Sequence, residues 1–499
     1  MAAEETAAHY EHLSLNEESA EDDETVPSTD LLSIDEALER LGMGPFQYRL
    51  LCASGLCFAS DAMQVILLSF LAIVVQEEWH LTDAETASIP SALFAGSLMG
   101  TLVLGPLADT YGRKPLFVTS NLLIVLFGVA TSLATHYVWL VAALFGVGVG
   151  VGGLVVPFDL LAEVLPAERR GTNLLLIEYF WTVGCLYIVG VADLSLPAWR
   201  TLVGWGTLPC LLSLGMGLTS LVPESPRWLV AEGRLDDALE VLQRAAVVNG
   251  SDFPDTIRLK KPPEQEKEAG IAELFTPEWR DITLRLWGAW GAMAFGYYGT
   301  LMAITRVFDR TVPDEQNAEF DYTAIFVSSA AELIGTTLVI VAVDRVGRIP
   351  SQVVSYSCAG VAVGLLCWLA SHGSKRSTLM SLALIARVME MAGTCVTWVS
   401  TAEILTTHVR STGHATANAV ARLGAFCSPY LVESHRIPLW KLGAIMFLVH
   451  VITALCVCKL PETKGRSMGA GTERQSTENE PLALEETDED VPVSHAEPA

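Results

Sequence analysis

Twelve times in its 499 residues the chain runs apolar for the length of a bilayer crossing. A hydrocarbon core takes about 20 consecutive apolar residues as a helix. Only helices or closed barrels can cross it with every backbone N–H and C=O satisfied. The runs lack the two-residue alternation of a barrel strand, so they read as helices. Their approximate limits are 48–76, 86–107, 115–134, 138–160, 173–193, 199–221, 284–307, 322–343, 351–371, 378–400, 411–431 and 439–459. The expected fold class is an all-α polytopic membrane protein with 12 transmembrane helices.

Charge and composition narrow the function mainly by exclusion. The net charge of −26 is concentrated in residues 1–38 and 467–499, which are acidic and poor in large apolar residues. Both read as disordered cytosolic tails that say little about a substrate. No basic patch suits a nucleic acid, and no cleavable leader is expected ahead of the first run. The ten cysteines stand singly in apolar surroundings and read as small hydrophobes without metal-ligand spacing. GVGVGVGG in the fourth run follows no strand, so it suits close helix approach rather than phosphate binding. An enzyme is not expected, nor a cofactor or metal.

The polar stretch 222–283 divides six helices (39–221) from six (284–466), and its RLDDALEVLQRAAVV reads as a cytosolic surface helix. Motifs recur across that division. Asp109-x-x-Gly112-Arg113 returns as Asp344-x-x-Gly347-Arg348, Glu163 and Arg170 as Glu403 and Arg410, and Pro223-Glu224-Ser225 as Pro461-Glu462-Thr463. The offsets are 235, 240 and 238 residues (344 − 109, 403 − 163, 461 − 223). A duplicated six-helix unit arranged about an axis normal to the membrane is the plan of a rocking transporter. Lys and Arg crowd the loops after even-numbered runs, as at Arg113/Lys114, Arg169/Arg170, Arg345/Arg348 and Arg410, with Lys375/Arg376 the main exception. Both termini are therefore expected in the cytosol, as is the sequon Asn249-Gly250-Ser251, which would stay unglycosylated.

Gly105, Asp109, Gly112, Arg113 and Lys114 match the loop signature of the major facilitator superfamily, and PESPRWLVAEGRLDDALEVL and PETKGR resemble its sugar-porter and organic-ion branches. RLGMGPFQYRLL, FASDAMQVILLSFL, LLIEYFWTVG, AMAFGYYG and ARLGAFCSP are similar to the synaptic-vesicle-related (SVOP-type) proteins, over about residues 35–467. The resemblance implies a latch of inner-face charges holding the halves together while a central site faces outward. Its members here are Asp109, Arg113, Glu163, Arg170, Glu224, Arg227, Asp344, Arg348, Glu403, Arg410, Glu462 and Arg466. Asp109 can pair with Arg113 or cap a neighbouring helix; the plain alternative is topogenic charge, with exposed pairs worth about 0–1 kcal/mol each. The sequence departs from the family pattern at Leu144, where helix four usually carries arginine, whereas the second-half equivalent Arg387 is kept. Glu390 is unexpected where relatives are mostly apolar.

Ionisable residues inside a bilayer are expensive and so are functional candidates. Asp61, Glu178, Glu332, Arg387, Glu390 and Arg422 fall within apolar runs, and the resemblance implies that helices one, five, eight, ten and eleven line the cavity. Arg422 can hold a carboxylate bidentately or form a structural bridge to Asp61 or Glu390. Asp61 can bind a cation, carry a coupled proton or be locked to an arginine. Glu178 and Glu390 are proton-carrier candidates or neutral buried carboxyls, and Glu332 reads as structural. Trp181, Tyr297 and Tyr298 can stack on a ligand or simply pack; the resemblance implies a ligand-contacting tryptophan at Trp181.

The expected function is alternating-access transport of a small organic ion, an anion or zwitterion for preference, with protons as candidate coupling ions. Organic cation or sugar carriage, or a non-transporting receptor or trafficking role, are the alternatives. A monomer in the plasma membrane or a vesicle membrane is expected.

Overall fold

The computed structural model of the chain describes residues 31–166, 170–196, 198–254, 256–261, 271–309, 320–405, 407–434 and 436–464. Within those helices the side chains of 170–172, 344, 407, 408, 410 and 411 are also outside what is described. Twelve spans follow the apolar runs in order. In the first half they are Pro45–Trp79, Asp83–Tyr111, Arg113–Ser132, Tyr137–Val164, Ile177–Ser195 and Trp199–Gly217. In the second they are Arg280–Val307, Tyr322–Val346, Arg348–Ser371, Arg376–Ile404, Thr407–Val432 and Leu439–Val457.

Local chemistry sets the ends. Pro45 opens span one at a position where its missing N–H costs nothing, and the Gln47 side chain accepts from the Gly44 N–H at 3.1 Å. Span six is broken into Trp199–Gly206 and Leu208–Gly217, with Pro209 in the first turn of the second piece. Span four breaks at Gly152–Gly153 before Val155–Val164. Among the described residues, nine helices are long and apolar enough to cross a membrane by length and composition. Spans six, seven and eleven miss that measure: six is broken, the uncharged stretch of seven is diluted by Trp287, Trp290, Tyr297, Tyr298 and its glycines, and eleven is rich in polar residues.

Within each half the pairings repeat. Span two packs on four and three on six, just as eight packs on ten and nine on twelve. Between the halves, span two lies on eleven and span five on eight. The glycines of span four explain its closeness to span two. A Cβ at Gly148 would lie 2.1 Å from the Leu93 carbonyl oxygen, and one at Gly96 would lie 2.1 Å from that of Phe145.

Residues 31–38 depart from the expected disordered tail. Leu31–Leu32 forms a strand (β1) parallel to Arg258–Leu259 (β2), followed by the helix Ile34–Leu41. Ser33 and Glu36 form a reciprocal capping box, with the Ser33 N–H donating to Glu36 Oε2 at 2.7 Å. Eight residues are too few for a stable isolated helix. Here Ala37, Leu38 and Leu41 are buried with Leu239, Leu242 and Ala246 of the linker helix Leu235–Asn249. Each buried leucine contributes about 2 kcal/mol. The start of the chain is thereby tied to the linker.

Candidate functional site

A cavity of about 100 Å³ lies between the halves. Its walls include Asp61 from span one, Glu178 and Trp181 from span five, Tyr297 and Tyr298 from span seven, and Arg422 from span eleven. Six of the seven expected substrate-binding residues therefore meet in one place. Towards the face opposite the motifs, the tilted rings of Phe94 and Tyr298 meet with centroids 4.8 Å apart, and Ser91 Oγ donates across the halves to the Phe426 carbonyl at 2.9 Å. Towards the motif face, the rings of Phe158 and Trp398 meet at 5.7 Å.

Arg422 and Asp61 face each other with 3.8 Å between Nη2 and Oδ2. That is an ion pair beyond hydrogen-bond reach. Asp61 Oδ1 and Arg422 Nε are both buried without a hydrogen-bond partner. Glu178 lines the same cavity and has no hydrogen-bond or ion-pair partner among the described residues. Trp181 Nε1 donates to Tyr297 Oη at 2.7 Å, and Tyr297 donates in turn to Glu332 Oε1 at 2.7 Å. Glu332 is paired with Arg387, both fully buried. The chain Trp181–Tyr297–Glu332–Arg387 thus runs from the first half through the cavity wall into the second, and it gives Glu332 the structural part read from sequence.

Glu390 corrects the expectation. Met391 and Thr394 line the cavity, while Glu390 turns away and meets His450 Nε2 of span twelve at 2.6 Å. Successive residues point about 100° apart on a helix, so a residue beside a lining one need not line. His450 was missed because a lone histidine in an apolar run has no local signal of its partner.

The motif face repeats one construction twice. Gly112 and Gly347 have φ of 101° and 104°, a region that disfavours side chains. Each turn lets a glutamate from beyond the sixth helix of its half reach the start of the third. Glu224 accepts from the Arg113 N–H at 2.7 Å, and Glu462 from the Arg348 and Ile349 N–H groups at 2.9 Å each. A Cβ at Gly112 would lie 2.4 Å from Glu224 Oε2. The cap of the neighbouring helix is therefore Glu224, whereas Asp109 takes the other expected part and pairs with Arg113. Arg113 also reaches Glu163 at 3.1 Å, and Arg348 grips Glu403 with both Nε and Nη2 at 2.9 and 2.8 Å. Arg227 donates to the Glu163 carbonyl at 3.1 Å and pairs with Asp35 of the first helix. These pairs join elements within each half. The side chains of Arg170, Asp344 and Arg410, and all of Arg466, lie outside the described residues.

Partial burial pushes the Glu462 carboxyl up, but N–H donors from Arg348, Ile349, Lys464 and Thr463 outweigh it and hold it below the ordinary carboxylate value. A group depressed on folding stabilises above its unfolded pKa and loses that contribution as pH falls through the folded one. Glu462→Gln is expected to lower the melting temperature at neutral pH, with the gap to wild type closing in acid. A gap unchanged by pH in a thermal-shift titration would contradict this.

Residues 17–472 match the sugar (and other) transporter family. The chain is 30% identical over 473 residues to the synaptic vesicle 2-related protein of Xenopus laevis, covering 90% of this chain and 84% of that one. It is 30% identical to the organic cation/carnitine transporter 7 of Arabidopsis thaliana, covering 90% and 97%. Among solved structures, the partially occluded inward-open xylose transporter XylE of E. coli aligns with a TM-score of 0.68 at 19% identity, over 85% of this chain and 99% of that one. With twelve spans in two repeated halves, motif turns that match residue for residue and a cavity between the halves, the chain belongs to the sugar (and other) transporter family of the major facilitator superfamily, as a multi-pass secondary transporter similar to the synaptic-vesicle-related proteins.

Proposed function

We propose that the protein carries a small zwitterionic organic solute by alternating access. The observation that carries this reading is the incomplete Asp61–Arg422 pair in the cavity wall. Asp61 Oδ1 and Arg422 Nε are buried without a partner, and the facing atoms, Asp61 Oδ2 and Arg422 Nη2, stand 3.8 Å apart. A solute bearing a cation and a carboxylate would satisfy both at once. Leaving a buried donor or acceptor unsatisfied costs about 1–3 kcal/mol, and the guanidinium fork matches a carboxylate. The aromatic wall of Trp181, Tyr297 and Tyr298 suits a quaternary or protonated amine. A plain sugar has no charge to offer either group.

The inner-face contacts brace each half: the Glu224 and Glu462 caps tie its third helix to the segment after its sixth, and Arg113–Glu163 and Arg348–Glu403 tie the third to the fourth, so each half rocks as a unit. One relative carries carnitine in its name and one fold neighbour is described as a proton:xylose symporter, so L-carnitine and an imposed pH gradient are the first conditions to try. Uptake into proteoliposomes is expected for L-carnitine over choline and over butyrate. Arg422→Ala and Asp61→Asn should each reduce it at least about tenfold, since truncating one member of a desolvated charge pair costs about 2–5 kcal/mol. If Arg422→Ala left uptake of every charged probe intact, the zwitterion reading would be wrong. Vesicle or plasma-membrane residence and cytosolic termini complete the proposal, supported by the Lys/Arg loop bias and the synaptic-vesicle-related relatives.

A further inference from the structure

Behind the cavity, spans ten and twelve are joined by Glu390 and His450, which are 1% and 2% exposed. His450 Nε2 stands 2.6 Å from Glu390 Oε1, and His450 Nδ1 stands 2.7 Å from the carbonyl oxygen of Met446. Those two contacts fix the proton count. A carbonyl oxygen only accepts, so Nδ1 carries a hydrogen. With Nδ1 protonated, a neutral ring has only a lone pair at Nε2, and an ionised carboxylate has only lone pairs to meet it. A contact of that length therefore requires one further proton between them. It sits either on the carboxyl, donating to a neutral ring, or on the ring, donating to a carboxylate. The net charge is zero both ways.

The pair is housed rather than incidental. A Cβ at Gly296 of span seven would lie 3.0 Å from His450 Cε1, and one at Gly360 of span nine would lie 2.7 Å from His450 Cβ. Both positions leave room for the ring only because they are glycine. The second oxygen, Glu390 Oε2, is buried and unpartnered. The titratable neighbours are engaged elsewhere. Tyr356 of span nine is bonded to Thr397 at 2.6 Å, Arg387 of span ten is paired with Glu332 of span eight, and Tyr297 of span seven donates to Glu332.

Two of the spans around the pair, ten and seven, also front the cavity. Met391 and Thr394 follow Glu390 on span ten, and Tyr297 and Tyr298 follow Gly296 on span seven. Any tilt of span ten that reshapes the cavity also moves Glu390 relative to span twelve. We propose that Glu390 and His450 form a proton-binding site that couples carriage to the proton gradient. One proton is held while spans ten and twelve are apposed. When they part, one H⁺ leaves to water, and an ionised Glu390 and a neutral His450 remain until a proton returns. This rests on the transport reading above but places the coupled proton outside the solute site.

Two measurements on the full chain in lipid test it. In nanodiscs with ¹⁵N-labelled histidine, the His450 signals, identified by their loss in His450→Gln or their shift in Glu390→Gln, should show a protonated Nδ1. They should also fail to titrate between about pH 5 and 8, where a solvated imidazole changes charge. An unprotonated Nδ1, or a ring that titrates as if in water, would overturn the proposal. In proteoliposomes, Glu390→Gln keeps a donor for Nε2 but cannot release a proton. It should retain L-carnitine exchange at equal pH and lose the extra uptake driven by an inward proton gradient. Gradient-driven uptake equal to wild type would also overturn it. A wild type that moves none of L-carnitine, choline and butyrate would sink the transport reading and the coupling together, whatever the nitrogen spectrum shows.

Discussion

Gly148→Ala is expected to lower the melting temperature by several degrees, and Gly148→Val to leave no monodisperse protein after solubilisation. Four glycines make one seam between spans two and four. A Cβ at Gly96, Gly100, Gly148 or Gly152 would fall 2.1, 2.1, 2.1 or 2.2 Å from a carbonyl oxygen of the facing helix. A side chain that meets another side chain can rotate it aside, but a carbonyl in a helix moves only with the helix. Thr101 adds a hydrogen bond across the seam to the Gly152 carbonyl at 3.2 Å. Lipid tails are as apolar as leucine, so close packing of this kind is what holds membrane helices together. Overpacking costs about 1–3 kcal/mol even where side chains can adjust, and folded stability is only about 5–15 kcal/mol. Gly204 in span six is the control: a Cβ there meets nothing within 4 Å, so Gly204→Ala should be neutral or slightly stabilising. Gly148→Ala melting at the wild-type temperature would mean that the seam is looser than the packing indicates.

What the sequence makes legible divides by range. Span number and the duplication rest on local hydropathy and on motifs a few residues long, and both can be read directly. The turn glycines at 112 and 347 are equally local. Which glutamate caps which helix is not: Glu224 and Arg113 are far apart in the chain, and the nearer Asp109 looks like the better candidate until the turn geometry is known. Asp61 and Arg422 can be paired from sequence because each is a rare charge in a run expected to line the cavity. Glu390 satisfies the same rule and yet faces the other way, since a run without clear amphipathic period does not fix a helix face. His450 has no motif at all. The first helix is a different kind of miss. Ser33 and Glu36 in SIDEALERL spell a capping box before an apolar stripe, and the acidic composition of the tail hid it.

Arg387→Met is expected to cost about 3–5 kcal/mol, the penalty for stranding one member of a buried ion pair. Glu332 is wholly enclosed, with Arg387 on one oxygen and Tyr297 donating to it as well. Without the guanidinium, the carboxylate keeps the Tyr297 phenol and a long contact from Thr182 Oγ1 at 3.5 Å for a full charge in a low-dielectric site. Arg387 also lies over the Tyr297 ring, 5.0 Å from its centroid, so its loss loosens the cavity wall that Tyr297 and Trp181 share. Glu332→Gln removes the stranded charge and still offers Tyr297 an acceptor, so Arg387→Met/Glu332→Gln should melt well above Arg387→Met alone. A double-mutant cycle read by thermal unfolding measures that coupling. The first half has neither charge: Leu144 stands where helix four usually carries arginine, and the motif offset puts Ser97 opposite Glu332 (332 − 235). Buried pairs are weak devices for stability but can specify one packing against another. In the rocking motion proposed above, a pair present in one half only, and wired through Tyr297 to Trp181 of the other, is expected to make the second half the stiffer partner. Recovery of stability in the double variant with loss of L-carnitine uptake would locate its value in that motion; a double variant no more stable than Arg387→Met would refute the stranded-charge account.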